Sequence, residues 1–156
     1  MAWTASNLSA AAVDALCNGT FYVTGTWTAD TINCALYGTA PTPNKNDTLA
    51  NNTYNAGQWV STGTNQETTG TGYSAGGQAL GTKTHTFGSG TSQLGAAGPV
   101  WTSATISGVF GCLVYDNTNS PKYAYCWNWF GGTQSVSGGS FTIVWSGAGI
   151  LQFTIV

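Results

Sequence analysis

The sequence predicts a mainly β protein, an antiparallel β-sandwich or jelly-roll-like barrel with one short N-terminal helix. Charged residues make up only 5% of the 156 residues, and 22 of the residues are glycine. This composition favours strands and tight turns over helices. Short apolar segments recur with a turn every ten or so residues, which indicates about eight to ten strands. We expect one β-domain over residues 1–156, because this length is typical of a single domain.

The N-terminal half predicts one helix, short strands and a long loop. Residues 7–17 are rich in Ala, Asn7 or Ser9 can cap them, and an Asn-Gly pair follows them, which predicts a short helix. Residues 38–55 are rich in Pro and Asn, which predicts a long exposed loop of the kind that is usually functional or partner-bound. The predicted strands of this half are 21–23, 32–37 and 58–61.

The middle of the chain, residues 62–90, is dominated by Gly, Thr and Ser. Glycines on both sides of Tyr73 allow the chain to turn sharply there. The predicted strands of this segment are 78–80 and 83–87, and the second of them carries His85.

The C-terminal half contains the best-defined hairpin of the sequence. Its arms are residues 109–115 and 122–130, and the turn formers of residues 116–121 join them. Both arms are apolar on both faces, so we expect the hairpin to lie centrally and to be covered on both sides. Alternation predicts that four aromatic residues share one face of the second arm: Tyr123, Tyr125, Trp127 and Trp129. Further strands are predicted at 100–107, 140–145 and 150–156.

The composition and motifs argue against several classes of function. Three lysines and no arginine cannot neutralise a nucleic-acid backbone, and no apolar run approaches the ~18 residues of a membrane span. His85 is the only histidine and no nucleophile-elbow motif is present. The five carboxylates are scattered, although folding can bring two together. We therefore expect no enzyme activity, no catalytic residues, no cofactor and no metal site.

The four cysteines match no zinc or redox spacing. Cys112 and Cys126 lie on adjacent arms of the hairpin, so a cross-strand disulfide is conceivable. The simpler interpretation is that all four, with Cys17 and Cys34, are reduced and buried thiols that act as small hydrophobic side chains.

The low charge predicts association with other subunits or with a partner. The net charge is −2, so electrostatic repulsion between copies is weak. We expect the N-terminal segment 1–20 and the loop 38–55 to act as interaction arms. The candidate interface residues lie in irregular or glycine-rich context: Trp3, Trp27, Lys45, Tyr54, Trp59 and Tyr73.

Several motifs occur together in a familiar order. The series is AVDALCNGTF, CALY, GTGYSAGGQAL, WTSATISG, NWFGG and FTIVWSGAGILQF. It resembles a group of small structural proteins of tailed bacteriophages that look like head decoration (cement) proteins. The resemblance covers nearly the whole chain and implies a virion component, made in the host bacterial cytoplasm, with no catalytic residues.

The resemblance implies a protein that binds the outside of the phage head and bridges subunits of the major capsid protein. We expect a homo-oligomer, with a trimer favoured, and no nucleic-acid or membrane partner. The alternative is a tail or baseplate component that binds host-surface glycan through exposed tryptophans. A small hydrolase that uses His85 is a third and weaker hypothesis.

Overall fold

The computed structural model describes residues 3, 5–17, 26–63 and 67–154. These residues form two antiparallel sheets, one α-helix and one short 3₁₀ helix. The mainly β, sandwich-like fold class predicted from the sequence is therefore confirmed. The strands are β1 (Asn7–Leu8), β2 (Ile32–Tyr37), β3 (Gly70–Thr71), β4 (Gln78–Ala79), β5 (Gly81–Gly88), β6 (Thr91–Ala97), β7 (Val100–Asp116), β8 (Ala124–Thr142) and β9 (Leu151–Thr154).

The helices are short and are fixed by local signals. Helix α1 spans Ala10–Cys17, and the Ser9 hydroxyl caps it by accepting a bond from the Ala12 N–H at 3.3 Å. The strand predicted at 58–61 is wrong, because Gly57–Trp59 form the 3₁₀ helix. The predicted strand 21–23 and the last two residues of the final predicted strand lie outside the described residues.

The larger sheet is built on the predicted hairpin. Its strand order is β1-β8-β7-β2-β4, and β3 pairs separately with β7. The hairpin strands are longer than predicted, because β7 joins the segments 100–107 and 109–115, and β8 continues through residues that look like a turn. The residues that look like a turn are accommodated in β-bulges, since the register between β7 and β8 shifts five times. Left-handed residues lie at or beside four of the shifts: Ser103, Gly108, Gly131 and Gly138.

The predicted alternation on the second arm is wrong at Tyr125. Val114 pairs with Cys126, whereas the next residue along β7, Tyr115, pairs with Ala124. Tyr125 is therefore an extra residue in a β-bulge, which breaks the two-residue period of side-chain direction. As a result Tyr125 lies in one hydrophobic core and Trp127 lies in the other.

Both faces of the larger sheet are covered where residues 111–116 and 124–127 lie, as the apolar hairpin predicts, whereas the remainder of β7 and β8 is exposed at many positions. One face packs against α1 and the smaller sheet, through side chains that include Ala12, Leu94 and Leu151. The opposite face packs against Trp3 and Trp59. Each fully buried large side chain contributes about 1.5–3 kcal/mol relative to its exposed state, so both cores contribute substantially to stability.

The smaller sheet has the order β5-β6-β9, and Trp27 joins it to the larger sheet. The Trp27 ring packs edge-on against Tyr125 with 5.2 Å between centroids. Its indole N–H donates to the Gly95 carbonyl of β6 at 3.1 Å. Trp27 thus contacts both sheets at once.

The glycine-rich segment lies along the outer edge of β2. Asn33 and Cys34 of β2 pair with β4, and the Leu80 N–H donates to the Ile32 carbonyl at 2.7 Å. The close approach of this segment to β2 requires glycine at position 77, where φ is +68° and a Cβ atom would overlap the Cys34 carbonyl. This segment covers backbone groups that an exposed edge strand would offer to other chains.

We predict that Gly77→Ala lowers the free energy of unfolding by about 2–5 kcal/mol, because it combines a left-handed backbone with overlap against β2. Gly147→Ala is the matched control, since a Cβ there meets nothing within 4 Å. Urea denaturation of both variants measures the difference. Equal stability of the two variants would contradict the close packing of β4 on β2.

Candidate functional site

The structure buries half of the candidate interface residues. Trp3, Trp27 and Trp59 are 2%, 3% and 0% exposed, so the expectation that they lie at the surface is wrong. Irregular backbone does not keep a tryptophan exposed, because the ring gains more by covering an apolar sheet face. Trp3 lies directly on the backbone of Gly111, where a side chain would overlap its ring.

The loop 38–55 folds back onto the sheet in its second half. Asn52 is fully buried, and its side chain donates to the carbonyls of Asp47 and Thr48 at 3.2 and 3.3 Å. The backbone carbonyl of Asn52 accepts a bond from the Ala124 N–H at 2.8 Å. Lys45 is exposed, and its carbonyl accepts a bond from the Ala10 N–H of α1 at 2.9 Å. The role of this loop and of segment 1–20 as interaction arms stays a prediction.

Tyr54 and Tyr73 meet at Glu67, which the sequence did not single out. The Tyr54 hydroxyl donates to one carboxylate oxygen at 2.8 Å, and the Tyr73 hydroxyl donates to the other in a short bond. The Gly76 N–H donates to both oxygens, at 2.8 and 3.1 Å. The Tyr73 oxygen also accepts the Leu36 N–H of β2 at 2.8 Å. This Glu67 cluster fastens the glycine-rich segment to the edge of the sheet.

Burial controls the protonation of the cluster. Glu67 is 1% exposed, and burial raises its pKa above the usual value of 4.5, although bonds from Tyr73, Tyr54 and the backbone oppose the shift. Burial and the neighbouring Glu67 also raise the pKa values of Tyr54 and Tyr73. The tyrosines therefore remain neutral donors, and the arrangement is suited to holding the chain in place.

The thiols are free, and three of them are buried in the larger sheet. Cys112 pairs with Asn128 and Cys126 pairs with Val114, so the two cysteines are diagonal and not directly opposite. Burial raises the pKa of Cys126 to about 12, which keeps this thiol protonated and unreactive. The expectation of four buried thiols is wrong for Cys17, which is exposed at the end of α1.

The fold brings two of the scattered carboxylates together. Burial and the negative charge of Asp116 raise the pKa of Asp30, and Lys83 opposes this shift. The Asp116 carboxylate accepts bonds from the Thr118 N–H and the Asn119 amide, both at 2.8 Å, so it shapes the hairpin turn. Neither carboxylate lines any of the clefts described below.

The remaining candidates for chemistry are isolated within the part of the chain that the structure describes. His85 is exposed on β5, and its Nε2 lies 3.0 Å from the Ser92 hydroxyl. The described residues include no group of three His, Cys, Asp or Glu side chains that could hold a metal ion. No helix among them is long and apolar enough to cross a membrane.

An apolar ledge lies where the smaller sheet extends beyond the core. Phe87, Ser92 and Phe153 are paired across β5, β6 and β9, so they share one face with the buried residues Leu94 and Leu151. Phe87 is nevertheless 72% exposed, and Phe153 is partly exposed. We call Phe87 and Phe153 the apolar ledge. A cleft of about 260 Å³ lies beside Phe153 and continues to Trp27.

A second concave surface lies around Trp145, which follows β8. A cleft of about 660 Å³ lies on one side of residues 142–146, and a cleft of about 500 Å³ lies on the other. Trp145 lines both clefts and is partly exposed. The described chain therefore offers concave surface beside accessible aromatic side chains at the apolar ledge and around Trp145. A further cleft of about 310 Å³ lies beside Glu67, and no aromatic side chain lines it.

The comparisons with known proteins add no relative. No family model matches the sequence, and neither a curated protein nor a solved structure matches the chain. The resemblance to phage structural proteins therefore stays a prediction, and the candidate sites must be judged by their own chemistry.

Sequence reasoning missed Glu67, Phe87 and Trp145. One feature of the sequence could have indicated Glu67. The chain has few charges, and this single carboxylate lies next to a glycine-rich segment that carries a Tyr, which predicts a hydrogen bond between the two side chains. No such feature indicated Phe87, since its exposure depends on where the smaller sheet extends past the core. Trp145 alternates with Phe141 and Ile143, a pattern that predicts burial, but only the latter two are buried.

We predict that Glu67 makes the protein more stable at mildly acidic pH than at neutral pH. The folded state binds this proton more tightly than the unfolded chain, so the stabilisation is complete below pH 4.5 and is lost as the pH rises through the raised pKa. Free energies of unfolding at pH 5 and pH 8 should differ less in Glu67→Gln than in the wild type. The contribution of Asp30 is common to both proteins and cancels in the comparison.

Glu67→Leu serves as the companion variant, because it removes the acceptor altogether. Each buried donor left without an acceptor costs about 1–3 kcal/mol, so this variant should be less stable than Glu67→Gln at both pH values. An unchanged pH slope in Glu67→Gln would show that another group carries the pH dependence.

Proposed function

We propose that this chain is a non-enzymatic structural protein of a tailed-phage virion, a decoration protein that binds the outside of the head as a homotrimer. The proposal rests on the sequence resemblance, and one structural observation supports it most directly. Phe87, a large aromatic side chain, is 72% exposed, and it pairs with Ser92, which lines the cleft beside Phe153. Aromatic side chains are enriched at the centres of protein–protein interfaces, so Phe87 is the most suitable residue of the smaller sheet for such a contact.

The contact we propose joins the apolar ledge of one subunit to a neighbouring protein of the virion. The ring of Phe87 provides the central contact, and an apolar side chain of the neighbour fills the cleft of about 260 Å³ beside Phe153. The ledge carries no charged side chain, and His85 is the nearest titratable residue on the same face. Binding is therefore expected to depend on buried apolar area and to change little with salt concentration.

Bridging of capsid subunits follows from repetition of this contact. A single small interface is weak, but a trimer that engages several capsid subunits at once gains effective concentration at each further contact. The protein then opposes the separation of neighbouring major capsid proteins mechanically, and no chemical step is needed.

Cryo-electron microscopy of virions that contain this chain tests the location. We expect density for it at regular positions on the outer surface of the head lattice. Density on the tail or baseplate and none on the head would reject the decoration role in favour of a tail or baseplate component. Sedimentation velocity of the purified chain tests the trimer, since a monomer at all concentrations would contradict it.

We predict that Phe87→Asp weakens binding to heads at least tenfold, because it places a charge in the apolar contact. Thr86→Asp is the matched control, since it puts the same charge on the same strand but on the opposite face. Both positions are exposed, so thermal unfolding should be similar for the two variants. Co-sedimentation with heads that lack the protein measures binding, and equal binding by both variants would exclude the ledge.

A further inference from the structure

The two clefts around Trp145 share one wall, the segment 142–146. The larger cleft lies between this segment and β8, and the smaller lies between it and β5 and β6. A volume of about 660 Å³ falls within the 300–1,000 Å³ that is common for sites of small ligands. Together the clefts form a groove with Trp145 at its centre, which we call the Trp145 groove.

The lining of the groove contains no titratable side chain. The larger cleft is lined by aromatic rings, by the amides of Asn128 and Gln134, and by hydroxyls that include those of Ser135 and Ser140. The smaller cleft adds Thr and Gln side chains. No charged group is present to pair with a phosphate, a carboxylate or an ammonium ion. The lining therefore favours a neutral ligand that has both apolar and hydroxyl-bearing surfaces.

The walls of the groove are held in place by contacts within the chain. Phe130 and Phe141 pack with 6.4 Å between ring centroids, which fixes the floor of the larger cleft. The Gln93 side chain donates to the Gly147 carbonyl at 3.0 Å, which ties the turn after Trp145 to the smaller sheet. A groove that is formed before the ligand arrives avoids the entropic cost of ordering its walls.

Some polar groups of the lining remain accessible to a ligand. Gln134 is exposed, and its amide makes a long 3.5 Å bond to the Gly132 carbonyl. Asn128 is partly exposed, and its amide contacts a sulfur atom, that of Cys126, at 3.8 Å. Both contacts are weak by the geometric standard for hydrogen bonds, so a ligand hydroxyl can compete for either amide.

We propose that the Trp145 groove binds a neutral oligosaccharide. Sugar rings present a face of C–H groups, which packs on an aromatic ring, and an edge of hydroxyls, which bonds to amides and hydroxyls. Trp145 is the packing platform, and Asn128 and Gln134 are the hydrogen-bonding groups. The clefts on both sides of Trp145 give room for more than one sugar unit. This property does not depend on the proposed position in the virion.

The test is a titration of the purified protein with neutral oligosaccharides built from glucose, galactose, mannose or N-acetylglucosamine. Isothermal titration calorimetry and saturation-transfer NMR measure binding, and an oligogalacturonate serves as the anionic comparison. We expect at least one neutral series to bind and the anionic one to bind at least tenfold more weakly. Trp145→Ala should weaken the binding at least tenfold, and Phe87→Ala, an exposed aromatic outside the groove, should leave it unchanged.

Ser140→Trp provides a second variant in case Trp145→Ala unfolds. Ser140 is exposed and lines the larger cleft, so a large side chain there should block the groove without removing a buried contact. Binding of no neutral oligosaccharide, or equal binding by the wild type and Ser140→Trp, would overturn the proposal. Binding of Trp145→Ala to phage heads stays intact if only the saccharide site is lost, which separates this inference from the decoration role.

Discussion

The fold depends on the requirement that a hairpin apolar on both faces be covered on both sides. A sheet with two apolar faces cannot leave either one in water. The chain meets this requirement with different elements, since α1 and the smaller sheet cover one face, and Trp3 and the 3₁₀ helix that carries Trp59 cover the other. This explains why segments that look like flexible loops are packed. Their aromatic rings form the second core.

With few charges, the chain fixes its loops by buried polar groups. The Asn52 side chain donates to two carbonyls of the long loop, and its backbone carbonyl accepts from an N–H of the hairpin. Glu67 holds the glycine-rich segment through two tyrosines and a backbone N–H. Such groups are costly to bury unless every bond is made. They therefore specify the positions of the loops more strictly than apolar contact alone, which tolerates sliding.

The sequence predicted those features whose signals are local. The helix cap at Ser9, the strand Ile32–Tyr37 and the two-sided burial of the hairpin follow from side-chain patterns a few residues long. The bulge at Tyr125 did not, because an extra residue changes side-chain direction without any composition cue. The Glu67 cluster joins residues that are 6 and 13 positions apart in irregular backbone, and the ledge depends on the packing of two sheets. No local pattern reports either of them.

The same constraint limits where the protein can meet other molecules. Many of the large aromatic side chains cover the larger sheet. Trp3, Trp27 and Trp59 are buried in this way and cannot contact another molecule. The aromatics that remain accessible include Phe87 on the smaller sheet and Trp145 beside it. The clefts between the smaller sheet and the segment after β8 are lined by no charged side chain. The larger sheet therefore provides the stability, and recognition is left to the smaller sheet and its border.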